Sequence, residues 1–542
     1  MSHLPLSRRA FTAGALSSLA LGLAACGSDA DADEQRTEAG QPRPGGRLTF
    51  AIANDPITLN PQGGGSGNDT QYVTRQLVDS LVDQSPETGE IVPWLATEWT
   101  ISDDASVFTF TLRQDVSFSD GTPFTAESVK ASFDDIVAQG ANANVAVAYF
   151  GDYKETLVVD EYTAQVSFTA PNGPFIQALA GPALAPLAAA TLAQSWEERA
   201  AGGVIGTGPF TVDHYTANTE VLLLKRPGYA WPSEVSQNDG EAYVDEVLFQ
   251  VAPEASVRSG LITSGQVDVI GGVPPQDQET LEAGGAALVI RANPGTTFGL
   301  TPYTENPGVD DVNVRRAFSL ALNRDEIRDA TLNADYAVSR SVLSDTTPGW
   351  SDQSELLGHD PAEAARLLDD AGWTEGSDGV REKNGERLSL VLAWQTNFVA
   401  NQSAVELIQQ QVAQVGIEVE LVSGTVPDIT EGEGSGDYDF RFGNSSRADG
   451  DVLRTSFSSE SGRPFTAADP ELDALLEQQR AIVDPTERNA LLADIQRYLL
   501  EQGRHIPTFQ LTTVLGTTAT THGVWLAADS RLGSLSSAWL DA

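Results

Sequence analysis

The chain of 542 residues contains a single cysteine, Cys26, so it forms no intrachain disulfide and its thiol has no second cysteine for redox or metal chemistry. Histidine is nearly as scarce. His3, His214, His359, His505 and His522 are the five present, and no two stand at metal-ligand spacing. There is no G-x-S-x-G, H-E-x-x-H or G-x-x-x-x-G-K run, and no cysteine nucleophile. With 76 Asp and Glu, a carboxylate pair for acid/base work could be drawn almost anywhere, so such a pair carries no information. No enzyme, resident cofactor or metal is therefore expected. Basic residues are short as well: 32 Lys and Arg leave a formal charge of −44. A polyanion of that size is repelled by phosphate backbones, which excludes nucleic acid as a partner.

What is present begins with Ser7-Arg8-Arg9-Ala10-Phe11, two arginines ahead of an Ala/Leu-rich run that ends in Leu23-Ala24-Ala25-Cys26. The run is short and Ala/Gly-rich beside the roughly 20 strongly apolar residues of a membrane span. Residues 1–25 thus read as a twin-arginine-type export signal that is removed. The segment resembles the lipobox of bacterial lipoproteins. That resemblance implies cleavage before Cys26, a lipid on its sulfur and a tether to the outer face of the bacterial cell membrane. Residues 26–45, acidic and rich in Ala, Gly and Pro, read as a flexible linker.

The length suggests two to four domains, and nine Trp with twenty Phe can supply their cores. Leu48-Thr49-Phe50-Ala51-Ile52 predicts a short strand, and a helix is expected near Thr70 to Val82. Gly63 to Gly67 reads as a turn, lacking the lysine and spacing of a phosphate loop. Val107-Phe108-Thr109-Phe110-Thr111-Leu112 alternates strictly, as a half-buried strand does. Thr125 is placed to cap a helix in which Val129, Phe133 and Ile136 share one face. Asp360-Pro361-Ala362-Glu363 opens another helix, and Asn384-Gly385 predicts a hairpin turn with positive φ. Leu388 to Trp394, a helix from about Asn401 to Val415, and Ile417 to Val422 form a strand-helix-strand crossover, so this part is parallel α/β.

Three stretches carry a longer pattern: Trp99-Thr100-Ile101-Ser102-Asp103-Asp104, Phe108 to Arg113, and Phe118-Ser119-Asp120-Gly121-Thr122-Pro123-Phe124-Thr125. Together with Gly206-Thr207-Gly208-Pro209-Phe210, Tyr229, Trp231 and the helix Asp310 to Arg324, they resemble the family 5 extracellular solute-binding proteins of ABC importers of the peptide and nickel type.

The resemblance implies an α/β, two-lobed periplasmic-binding-protein-like fold of type II with an extra inserted subdomain and a hinge. In order along the chain, lobe I would hold residues 46–79, 206–291 and 504–542, the inserted subdomain 80–205 and lobe II 292–503. A monomeric receptor would close on a small-molecule or peptide ligand and present it to an ABC permease with its ATPase. In that family an acidic residue pairs with the ligand's α-ammonium in a loop of the form Trp-x-x-Asp after a Tyr-Asp strand. The equivalent region runs from Tyr438-Asp439-Phe440 to Asn444-Ser445-Ser446-Arg447-Ala448-Asp449, making Asp449 the best match. It has no tryptophan, and Arg447 stands two residues away, able to neutralise Asp449. Asn444 and Arg447 belong to this candidate site, with Phe298, Tyr303 and Trp394 as candidate walls or core residues. Oligopeptide ranks first as ligand, another polar organic solute second and a nickel complex third. An exported hydrolase is the reading from a different class.

Overall fold

A computed structural model describes residues 41–63, 67–461 and 468–541. The export signal, Cys26, residues 26–40 of the linker and 64–66 of the glycine run lie outside the described residues. Strand Arg47–Ile52 sits within a seven-stranded sheet, parallel to Glu246–Val251 on one side and to Val269–Ile270 on the other. Leu48, Phe50 and Ile52 are fully buried, and the Phe50 and Phe249 rings stack at 5.5 Å between centroids. Ala287–Ala292 and Thr512–Thr517 pair antiparallel at the sheet's other edge.

The expected helix over 70–82 is shorter: it spans Asn68–Thr74, and Val82–Gln84 is a strand. Tertiary contact overrides local preference here. Gly208 and Phe210 donate their amides to the carbonyls of Leu77 and Gln76 at 3.1 Å each, so the Gly206-Thr207-Gly208-Pro209-Phe210 loop takes bonds that a longer helix would use. A Cβ on Gly206 or Gly208 would collide with the backbone at Leu77 and Val78, which is why glycine is needed there.

Residues 96–168 build a separate four-stranded antiparallel sheet from Ala96–Ile101, Val107–Leu112, Thr163–Phe168 and Tyr153–Asp160. The alternation in Val107–Leu112 buries Phe108, Phe110 and Leu112. Helix Ala126–Gln139, with Thr125 as N-cap, packs Val129, Phe133 and Ile136 into the same core. Phe175 joins Phe108, Phe133, Phe150 and Phe168 in edge-on pairs 4.8 to 6.1 Å apart.

The second lobe is a five-stranded sheet ordered Glu418–Gly424, Ser389–Gln395, Phe440–Gly443, Phe298–Pro302, Ile506–Phe509. Its first two strands are parallel and joined by helix Asn401–Ala413. Asn384 and Gly385 have φ of 57° and 86°, the left-handed pair of the hairpin turn. Ile506–Phe509 pairs with Phe298–Pro302, although the resemblance drew lobe I from 504. Stacking of Phe509 on Phe298 at 5.2 Å and a 2.8 Å bond from the Thr508 hydroxyl to the Phe298 carbonyl keep that strand in the second core. The backbone therefore passes between the two sheets at 293–297 and again at 510–511.

Candidate functional site

Gly295, with φ of 116°, lies in the first passage and turns the chain against Ser445, where a Cβ would clash with backbone. Its amide donates to the Thr347 hydroxyl at 2.8 Å. The amide of Asn293 donates to the Leu511 carbonyl at 2.7 Å, tying the two passages together. Ser445 and Thr296 exchange bonds at 2.8 and 2.9 Å, and the Arg447 amide donates to the Pro294 carbonyl at 3.1 Å. The loop after strand Phe440–Gly443 is thus held on the hinge.

This loop meets the inserted subdomain along a seam. The Gln84 side-chain Nε2 donates to the Ala448 carbonyl at 3.0 Å, and the Arg447 guanidinium lies 4.8 Å from the Tyr149 ring centre. Further along, the Gly173 amide donates to the Arg480 carbonyl at 2.8 Å, and the Arg480 side chain pairs with Asp152 at 3.0 Å.

Asp449 is 4% exposed and accepts two bonds, at 2.8 and 2.6 Å, from the Arg488 guanidinium. Burial alone would raise its pKa, but Arg488, with Arg447 nearby, outweighs burial and holds the carboxyl down at about 2. Arg447 bonds not Asp449 but Asp451, at 2.9 Å, and Arg454 and Gln479 complete the Asp451 shell. The neutralising partner expected at Arg447 is therefore Arg488, brought in by helix Pro485–Glu501. Asn444 donates to Ser446 at 3.3 Å and lines a small pocket of about 310 Å³ with Thr296, Ser445 and His505. Phe298 and Trp394 lie in the second-lobe core, and Tyr303 packs against Ala393, Ile429 and Tyr438 on the sheet's other face.

The larger cavity, about 690 Å³, opens between the seven-stranded lobe and the inserted subdomain. Its walls come from four distant stretches: Gln71 to Gln84 with Trp94, Gln177 to Pro182, Tyr229 to Ser236, and Trp525 to Ser534. Arg75 donates to the Ser80 hydroxyl at 3.0 Å and the Ala180 carbonyl at 2.6 Å, with its guanidinium 5.4 Å from the Trp94 ring centre. Asp83 accepts from the Gln84 amide at 2.8 Å, and burial raises its pKa. Beneath the wall, Asp79 accepts from the Tyr229 hydroxyl and the Trp231 indole at 3.1 and 3.0 Å, and burial pushes its carboxyl up to about 6. Sequence reasoning missed Arg75, Asp83, Trp94 and Trp525. No local pattern marks them, because the fold alone assembles segments 450 residues apart.

Among the described residues no group of three or more His, Cys, Asp or Glu could hold a metal ion, and no helix is long and apolar enough to cross a membrane. The arrangement offers enclosed polar and charged surface beside a two-passage hinge, which suits binding.

A family model described as bacterial extracellular solute-binding proteins, family 5 Middle, matches residues 90–464. The nickel-binding periplasmic protein of Escherichia coli strain K12 is 26% identical over 482 residues, covering 85% of this chain and 90% of that one. The glutathione-binding protein GsiB of the same strain is 26% identical over 500 residues, covering 89% and 92%. The crystal structure of NikA from Brucella suis in complex with Fe(III)-EDTA superposes with a TM-score of 0.78 at 24% identity, over 92% of this chain and all of that one.

Proposed function

The chain belongs to the bacterial extracellular solute-binding proteins of family 5, and from that premise we propose that it captures a polar organic solute between its lobes and delivers it unchanged to an ABC permease. One observation carries this reading: among the described residues the seven-stranded and five-stranded sheets are joined by two backbone passages, at 293–297 and 510–511, and the inserted subdomain meets the second lobe across the Gln84–Ala448 and Arg480–Asp152 contacts. A ligand that touches both sides of such a seam binds the closed form better, and it shifts the population only by that difference in affinity. Closure is then what the permease reads. Short peptides rank first as cargo, in keeping with the glutathione-binding relative.

The reading includes export and a lipid on Cys26, which would hold the receptor at the outer face of the membrane. A binding role, without chemistry on the cargo, agrees with the missing catalytic signatures. The nickel-binding relative favours a second reading, a nickel complex carried by its own organic chelator.

Native mass spectrometry of freshly purified protein is expected to show one intact small solute, free of metal for the first reading and nickel-bearing for the second. Small-angle scattering is expected to show a smaller radius when that solute is restored to stripped protein. Cleaved cargo, or a radius indifferent to the solute, would sink the receptor reading.

A further inference from the structure

Nine large apolar side chains are exposed among the described residues, and three of them, Leu157, Val158 and Val159, are consecutive. They lie on Tyr153–Asp160, an edge strand of the inserted subdomain's four-stranded sheet. That strand pairs with Thr163–Phe168 on one side, and among the described residues no strand pairs with its other side. Edges of this kind are ordinarily blunted by charge, proline or bulges, because unpaired amides and carbonyls invite another strand. Here the register slips at Lys154 and again at Val159, which blunts the two ends, but Glu155 to Val158 stay in unbroken register. The middle of the edge is regular, apolar and open.

Its charges suit its own copy. A two-fold axis normal to the sheet brings an antiparallel strand against itself with one residue facing its own equivalent. With Leu157 on the axis, Thr156 faces Val158, and Lys154 at one end faces Asp160 at the other, twice by symmetry. Moving the axis to Val158 sets Glu155 against Glu161, and moving it to Thr156 sets Lys154 against Val158. Of the three, the Leu157 register alone matches lysine with aspartate. Both partners are open to such a match: Lys154 has an exposed contact with Glu155 at 3.6 Å, and Asp160 has no ion pair among the described residues.

We propose that this edge is where two copies of the chain associate, strand to strand about Leu157, into one sheet shared by both inserted subdomains. The proposal goes beyond the receptor reading, does not depend on the cargo, and departs from the monomer that the family resemblance implies. The contact is short, and the formal charge of −44 on each copy opposes it in solution. Confinement of two copies to one membrane surface would raise their effective concentration and favour it.

The test is analytical ultracentrifugation of the lipid-free full-length chain across a range of concentrations, at about 0.1 M and about 1 M salt, between which the screening length falls from about 10 to about 3 Å. A reversible monomer–dimer equilibrium is expected, roughly tenfold tighter at the higher salt because the long-range repulsion is screened. Leu157→Lys sets two like charges face to face on the axis and is expected to weaken the dimer roughly tenfold. Its urea midpoint is expected to match the parent's, since the Leu157 side chain is already exposed. The register is read from the ends. Lys154→Asp and Asp160→Lys are each expected to lose self-association at the lower salt, and their mixture to recover it, because every facing pair is then of opposite sign. Monomer mass at every concentration and salt overturns the proposal, as does a dimer indifferent to Leu157→Lys, or two end variants that associate no better mixed than alone. None of these outcomes bears on the receptor reading, which stands or falls on the retained solute and the scattering radius.

Discussion

Asp449 and Asp83 are acids placed on opposite sides of the seam, and they differ in what surrounds them. Asp449 is gripped by both terminal nitrogens of Arg488, and Asp451 beside it by Arg447 and Arg454. Asp83 has one amide and one hydroxyl within reach and no bonded cation. The first carboxylate is part of the lobe's own framework; the second is a charge left available to something else. An acid's position in a motif therefore says less about ligand binding than whether the fold has already supplied its counter-ion.

The sharpest way to break this contrast is to remove each acid and measure stability. Asp449→Ala leaves Arg488 buried and unpaired and is expected to cost about 3–5 kcal/mol by urea denaturation. Asp83→Asn replaces a carboxylate whose ionised form is disfavoured by burial and is expected to leave stability unchanged or raised. Equal losses at the two positions would mean that both acids are structural.

Acid titration separates them again, by sign. Asp449 ionises at about 2 in the folded chain against 3.8 ordinarily, so its contribution is complete above 3.8 and is lost as pH falls from there through 2, about 2 kcal/mol in all. Asp83 is shifted upward, so its penalty stands above its raised pKa and is relieved as pH falls through it. His505 is a third case. Its ring donates through Nε2 to the Thr297 carbonyl and is neutral, burial holding its pKa down at about 4 from 6.5. The unfolded imidazole takes the proton first, so stability is complete above 6.5 and falls by about 3 kcal/mol as pH drops from 6.5 to 4. Urea midpoints across pH 7 to 2 for the parent chain, His505→Gln and Asp83→Asn check the signs. The histidine variant is expected to lose less between 6.5 and 4, and the advantage of the Asp83 variant to shrink on acidification. Parallel pH profiles for all three would contradict both assignments.

The same contrast explains what the sequence could and could not reveal. Strand Val107–Leu112, the helix after Thr125 and the Asn384-Gly385 hairpin were legible because their signals lie within a few residues: alternation, a capping residue, a pair that tolerates positive φ. The two-lobed plan was legible through the long resemblance around residues 99–125. The partner of Asp449 was not, since Arg488 lies 39 residues on in another helix while Arg447 stood in plain view. The helix expected to reach Val82 stops at Thr74 because a loop more than a hundred residues later bonds to Gln76 and Leu77. The cavity residues were invisible for the same reason, with Trp525 and Arg75 lining one cavity only after the chain has passed through the second lobe and back.

The smallest expected effect concerns the seam itself. Arg480 is mostly buried, but Asp152, its partner across the seam, is 38% exposed on its side chain, so solvent screens the pair. Such pairs contribute about 0.5 kcal/mol, enough to change an open-to-closed ratio about twofold. Asp152→Asn is therefore expected to lower ligand affinity about twofold at low salt and to have no effect near 1 M salt, where charges are screened within about 3 Å. The Gly173 amide bond to the Arg480 carbonyl survives that substitution and keeps the seam in register. A tenfold loss, or a loss that persists at high salt, would show that Asp152 does more in the seam than form a screened ion pair with Arg480.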